Sequence, residues 1–138
     1  MRYWLLKTEP ETYSFDDLVA RGVAGDTWDG VRNHQACACL REMAVGDRGF
    51  CYHSGRERKV VGTLEVTEAA YPDPTDHSGR FVAVTVRAME YLPRAVALAT
   101  IKTDPAFAGC AWVRQPRLAV MPLSAADWWR LQRLAGVS

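Results

Sequence analysis

The chain has 138 residues, 49% of them apolar, which is enough for one ordinary hydrophobic core and too little for two independent domains. Its formal net charge of +1 excludes the strong basic excess of a non-specific polyanion binder and leaves local cationic patches as the route to an acidic partner. No apolar run approaches membrane-spanning length, and Lys7 and Glu9 interrupt the first apolar stretch too early for a secretory signal, so a single cytoplasmic domain over residues 1–138 is expected.

In chain order, Tyr3 to Lys7 reads as a strand that Glu9-Pro10 ends, because proline cannot donate to a ladder. Ser14-Phe15-Asp16-Asp17 has capping-box form and predicts a short helix to about Arg21, closed by Gly22. The run Asp26 to Gln35 then reads as a connector. A second helix follows from His34 to Met43 with Asn33 as its cap and Ala36, Leu40 and Met43 on one face. Gly49 to His53 and Val60 to Glu68 predict a hairpin across the cationic turn Ser54 to Lys59.

Tyr71 to Gly79, with Pro72 and Pro74, is loop chemistry. Phe81 to Tyr91 alternates as a half-buried strand that Pro93 is expected to end. Short helical turns are predicted between Val96 and Cys110, with Asp104 as cap and Pro105 at the first helical position. Arg117 to Leu123 reads as the last strand, and Ser124 caps a final helix that carries Trp128, Leu131 and Leu134 on one face. Strands interrupted by helices, in a chain this short, favour an α+β fold built as a mixed β barrel with peripheral helices. A doubly wound sheet would need a glycine signature that is missing here.

The densest set of recognition groups is Trp28-Asp29-Gly30-Val31-Arg32-Asn33. An indole offers a stacking face, a guanidinium a donor fork, and a carboxamide both donor and acceptor, which together suit a planar polar ligand such as a nucleobase. Gly30 would allow close approach of backbone to that ligand. Tyr52-His53-Ser54 stands at a strand end of the kind that lines a barrel mouth, with Tyr52 and Ser54 on one face and His53 with Cys51 on the other. Lys7 and Glu9 share a strand face and would either pair with each other or read a ligand edge. Arg56 and Arg58 on the hairpin tip and Arg114 and Arg117 before the last strand are candidate phosphate contacts, with plain solubility as the competing explanation.

Rival chemistries have weaker support. Cys51 and His53 suggest a nucleophile and base, but they would lie parallel on a strand with no orienting carboxylate, so no catalytic residue is assigned. The four cysteines, Cys37, Cys39, Cys51 and Cys110, show no disulfide framework and are expected to be reduced and mostly buried. Cys37 and Cys39 would project about 200° apart on a helix. His34, His53 and His77 have no paired ligand spacing, so neither metal nor cofactor is expected. Trp128 and Trp129 are expected to pack, the alternative being an apolar face for a protein partner.

Several of these motifs, in this order, resemble the EVE-domain family: Tyr3 to Pro10, Trp28 to Asn33, Tyr52-His53-Ser54, Tyr71 to Thr75, and Val113-Arg114-Gln115 with Arg117-Leu118. The thymocyte nuclear protein family carries a similar domain. The resemblance spans nearly the whole chain and implies a PUA-like β pseudo-barrel related to YTH and ASCH domains, holding a pocket for a modified base in DNA or RNA without catalysis. By that pattern Trp28, Asn33, Tyr52, His53 and Ser54 would line the pocket, with Lys7, Glu9, Arg32 and Arg114 at its edge. A monomer that prefers an unpaired or flipped base is the implied binding mode. Two positions depart from the family pattern: Cys37-Ala38 replaces a basic residue and asparagine, and Pro116 replaces a serine.

Overall fold

Trp4, Leu5 and Leu6 are all buried in the first strand, β1 (Tyr3–Thr8), so both faces of this strand are covered and its sequence reads as a continuous apolar run. The computed structural model describes residues 1–137. β1 lies between β3 (Arg48–His53), to which it is parallel, and β6 (Val120–Leu123), which is antiparallel. With β2 (Asp26–Trp28), β4 (Lys59–Pro72) and β5 (Val82–Ala97), they form one mixed sheet in the order β2-β5-β4-β3-β1-β6. That order is open, with β2 and β6 at its edges. The helix α2 (His34–Glu42) contacts β4, β5 and β6, so a helix ties the two halves of the sheet together.

Local capping chemistry sets the helices. Ser14 and Asp17 form the reciprocal capping box of α1 (Phe15–Ala20). Asn33 accepts the Ala36 N–H at the start of α2, and Asp104 accepts the Ala106 N–H of a 3-10 turn that begins at Pro105. The turn follows α3 (Leu98–Thr103), and α4 (Ala111–Arg114) follows the turn. Ser124 caps α5 (Ala125–Leu134) through the Asp127 N–H.

Several strand boundaries differ from the sequence reading. The segment Asp26–Trp28 is a strand, paired antiparallel with Val84–Val86 of β5. β4 runs on to Pro72, and β5 continues through Pro93 to Ala97. The ladder jumps from Gly62↔Tyr91 to Val60↔Val96, so Pro93 sits in a bulge where no strand N–H is required. β6 starts at Val120, three residues later than expected, since its register with β1 ends at Leu6↔Val120 and beyond it only the Ala119 carbonyl still accepts the Lys7 N–H.

The core is a single cluster. Trp4 donates its indole N–H to Asp47 Oδ2 at 3.0 Å, and the same buried carboxylate accepts the backbone N–H groups of Arg2 and Ala44. Trp128 stacks on Tyr3 and packs at a tilt against Phe50, with ring centroids 4.5 and 4.3 Å apart. Trp129, expected to pack beside it, is instead 54% exposed, because successive helix positions face different ways. Phe15 lies against Gly62 of β4, where a Cβ would come within 2.3 Å of its ring. All four cysteines are free and buried. No helix of the described residues is long and apolar enough to cross a membrane.

Candidate functional site

Pairing of β2 with β5 holds Trp28 with 7% of its surface exposed, against the sheet at the point where the chain turns outward. Gly30 has φ of 79°, in the left-handed region that favours glycine, and its N–H points at Asp73 Oδ2, 2.8 Å away. Arg32 donates through Nη1 to the same carboxylate at 3.0 Å and through Nη2 to Thr75 Oγ1 at 2.9 Å. Its guanidinium also lies 5.3 Å from the Phe81 ring centroid, and that ring stacks on His34. Asp73 is 2% exposed and takes two further bonds, from the N–H and the hydroxyl of Thr75. Arg32, a ligand contact in the sequence reading, is therefore engaged in a latch between the Trp28 loop and the 73–75 turn. Burial pushes the Asp73 carboxyl up, but the Thr75 hydroxyl and N–H, the Gly30 N–H and Arg32 outweigh it and hold the group at about 2.

Asn33 uses its side-chain oxygen as the α2 cap, which leaves its NH2 as the group able to meet a ligand. Tyr52 is buried, meets Trp112 edge to face at 4.9 Å, and has the Lys7 ammonium 5.6 Å from its ring centroid. Lys7 Nζ donates to the Pro116 carbonyl at 2.9 Å rather than to Glu9, and burial lowers its pKa to about 8. Glu9 instead covers Gly55 at the hairpin tip. The Ser54 N–H and hydroxyl both donate to the Thr8 carbonyl, which ties the end of β3 to the end of β1.

His53 points elsewhere. Its Nε2 accepts the Phe15 N–H at 2.9 Å and its Nδ1 lies 2.9 Å from Glu57 Oε1, so the donor arrangement puts the proton on Nδ1. The ring lines a separate cleft with Ser14, Asp16, Glu57 and Tyr91. Cys51 is 1% exposed and burial pushes its thiol up to about 12, which removes the thiolate that a nucleophile needs. Among the described residues, no three of His, Cys, Asp or Glu are grouped to hold a metal ion.

Two concave regions flank the end of β1. A cavity of about 270 Å³ is lined by Thr8, Thr12, Tyr13, Asp26, Thr27, Trp28 and Asp29. A groove of about 350 Å³ is lined by Asn33, Gln35, Gln115, Pro116, Arg117 and Leu118. Lys7 joins the two, since its neighbour Thr8 lines the first and its ammonium binds Pro116 of the second. Arg56 and Arg58 are exposed on the hairpin tip, and Arg114 and Arg117 are exposed beside the groove. Of the sequence-predicted residues, Trp28 lines the cavity, Asn33 and Arg117 line the groove, Lys7 and Ser54 stand at the end of β1, and His53 lies apart. The role of Asp73 escaped the sequence reading. An Asp-Pro-Thr turn was a local hint for Asp73, but its partner is more than forty residues away.

An open mixed sheet with helices packed around it, and a cavity beside the end of its first strand, defines a PUA-like domain. Residues 2–134 match the EVE domain model, and the chain belongs to the EVE-domain family. Thymocyte nuclear protein 1 of Rattus norvegicus is 30% identical over 159 aligned residues, covering 91% of this chain and 70% of the rat protein. Against the mouse and human counterparts the matched stretch spans only 37% of their length. A Rhodopseudomonas palustris protein of known NMR structure is 43% identical with a TM-score of 0.93, covering 99% of this chain and 94% of that one. Human THYN1, solved in complex with DNA containing 5-methylcytosine, is 27% identical with a TM-score of 0.89, covering 98% of both chains.

Proposed function

We propose that this domain binds nucleic acid by accepting a modified base in the Trp28 cavity, as a binding module without catalysis. The observation that carries the reading is the cavity itself: an indole held rigidly by a strand pairing, polar groups around it, and a second polar groove next to it. The human relative solved with methylcytosine-containing DNA supports the same ligand class. An unpaired or flipped base stacks on Trp28. Lys7, Tyr52 and Ser54 stand at the adjoining end of the first strand and Asn33 in the neighbouring groove, and Arg56, Arg58, Arg114 and Arg117 hold flanking phosphates. Stacking is worth roughly 1–3 kcal/mol per base and unstacking a duplex base costs a few kcal/mol, so a single domain binds unpaired sites in preference to duplex.

Fluorescence anisotropy with single-stranded oligonucleotides carrying modified or plain bases, at low salt, tests the reading. Modification-dependent binding that disappears in Trp28→Ala and survives in Cys51→Ala is expected. Binding that ignores the modification, or that Trp28→Ala leaves intact, refutes it.

A further inference from the structure

Resting on the reading of the Trp28 cavity as a base site, we infer that His53 is a positioning residue for the cavity wall and that binding requires its neutral ring, so that mild acid weakens binding. A closed circuit of contacts surrounds the end of the first strand. Thr8 and Tyr13 both line the cavity, and the Thr8 hydroxyl donates to the Tyr13 carbonyl at 2.7 Å. Two residues beyond Tyr13, the Phe15 N–H donates to His53 Nε2 at 2.9 Å. His53 is in turn the ladder partner of Thr8, and the next residue, Ser54, donates its N–H and hydroxyl to the Thr8 carbonyl. One imidazole nitrogen therefore ties the start of α1 to the strand ends that carry Thr8. Tyr13 passes that spacing across the cavity, because its hydroxyl donates to Asp26 on the strand that holds Trp28.

This circuit admits one protonation state. With the Nδ1 proton directed at Glu57 Oε1, 2.9 Å away, Nε2 is the bare acceptor that Phe15 needs. Protonation, in the range where histidines titrate, sets a second N–H against that of Phe15. Turning the ring over does not help, since both nitrogens then carry protons. His53 is buried, and the Phe15 side chain is wedged on Gly62, so the two donors separate only by parting the start of α1 from the end of β3. The other charged and titratable groups lining the cleft around the ring are Glu11, Asp16 on α1, Glu57 on the turn, Lys59 on β4 and the Tyr91 phenol on β5. Three carboxylates against one ammonium accommodate the charge of an imidazolium, so the misplaced N–H, and not the charge, disturbs the wall.

The experiment measures, by anisotropy, the affinity of a single-stranded oligonucleotide with one central 5-methylcytosine at about pH 7.5 and about pH 5.5, with circular dichroism following the fold. Wild type is expected to bind about fivefold more weakly at the lower pH, the worth of one hydrogen bond, while staying folded. His53→Ala is expected to bind weakly at both. His53→Gln, whose amide oxygen accepts the Phe15 N–H and does not titrate, is expected to recover most of that loss at the higher pH and to hold it at the lower. Tyr13→Phe, which keeps the ring and loses the bond to Asp26, is expected to show no pH response, and it carries the test if His53→Gln does not fold. A wild-type affinity indifferent to pH, a full pH response in His53→Gln or Tyr13→Phe, or a loss that coincides with unfolding overturns the inference and leaves the base-cavity reading standing. If wild type fails to bind the strand at the higher pH, or Trp28→Ala binds it equally well there, the base-cavity reading falls and the inference with it.

Discussion

Replacing Asp73 with alanine removes the acceptor for four hydrogen bonds at once: the Gly30 N–H at 2.8 Å, Arg32 Nη1 at 3.0 Å, the Thr75 N–H at 2.7 Å and the Thr75 hydroxyl at 2.6 Å. Breaking a buried charged pair costs about 3–5 kcal/mol when the surviving partner stays dry. Here the Arg32 side chain is 41% exposed and Gly30 and Thr75 face solvent, so water takes over part of the lost bonding. A loss of about 2–3 kcal/mol is therefore expected for Asp73→Ala, and about 1–2 kcal/mol for Asp73→Asn, which keeps the shape and loses the charge. Urea unfolding followed by tryptophan fluorescence, with the m-value checked for constancy, measures both.

The same latch fixes the Trp28 loop, so either substitution also weakens oligonucleotide binding beyond the fraction unfolded. The pH dependence supplies a second arm. Asp73 is held at about 2, below its ordinary 3.8, so its contribution to stability is fully present above pH 4 and is lost as pH falls through 2. Wild type and Asp73→Asn should therefore differ at pH 6 and converge near pH 2. A loss below about 1 kcal/mol for Asp73→Ala at pH 6 refutes the latch, since even one unsatisfied partner would exceed it.

Lys7 should titrate near pH 8 in the folded protein, read from its side-chain NMR signal; a midpoint above 10 contradicts the burial of its ammonium. Because the unfolded chain keeps that proton to about 10.5, this group's contribution to stability rises between pH 8 and 10.5, whereas any ligand contact that needs its charge fades over the lower part of that range. Gly62→Ala would place a Cβ 2.3 Å from the Phe15 ring and is expected to destabilise by about 1–3 kcal/mol through overpacking. A melting temperature unchanged from wild type would show that Phe15 can move aside without penalty.

The features legible in the sequence are those whose causes lie within a few residues. Ser14, Asn33, Asp104 and Ser124 announce helix starts because a side-chain oxygen meets an N–H two or three positions on. The apolar run Trp4 to Leu6 announces a buried strand, and the ordered motifs from Tyr3 to Leu118 carry the family. Trp28 stands out for the same reason, as an aromatic among groups that read polar edges.

Partners distant in the chain were set by the tertiary structure alone. Trp28 belongs to a strand only because Val84 to Val86 offers an edge, and β5 outruns Pro93 only because a bulge relieves the missing donor. Arg32 and His53 looked like ligand contacts by type, yet Asp73, Phe15 and Glu57 claim their polar atoms. Residue type states what a side chain can bond to; the long-range register of the sheet decides which of those bonds the protein makes itself and which it leaves for a ligand.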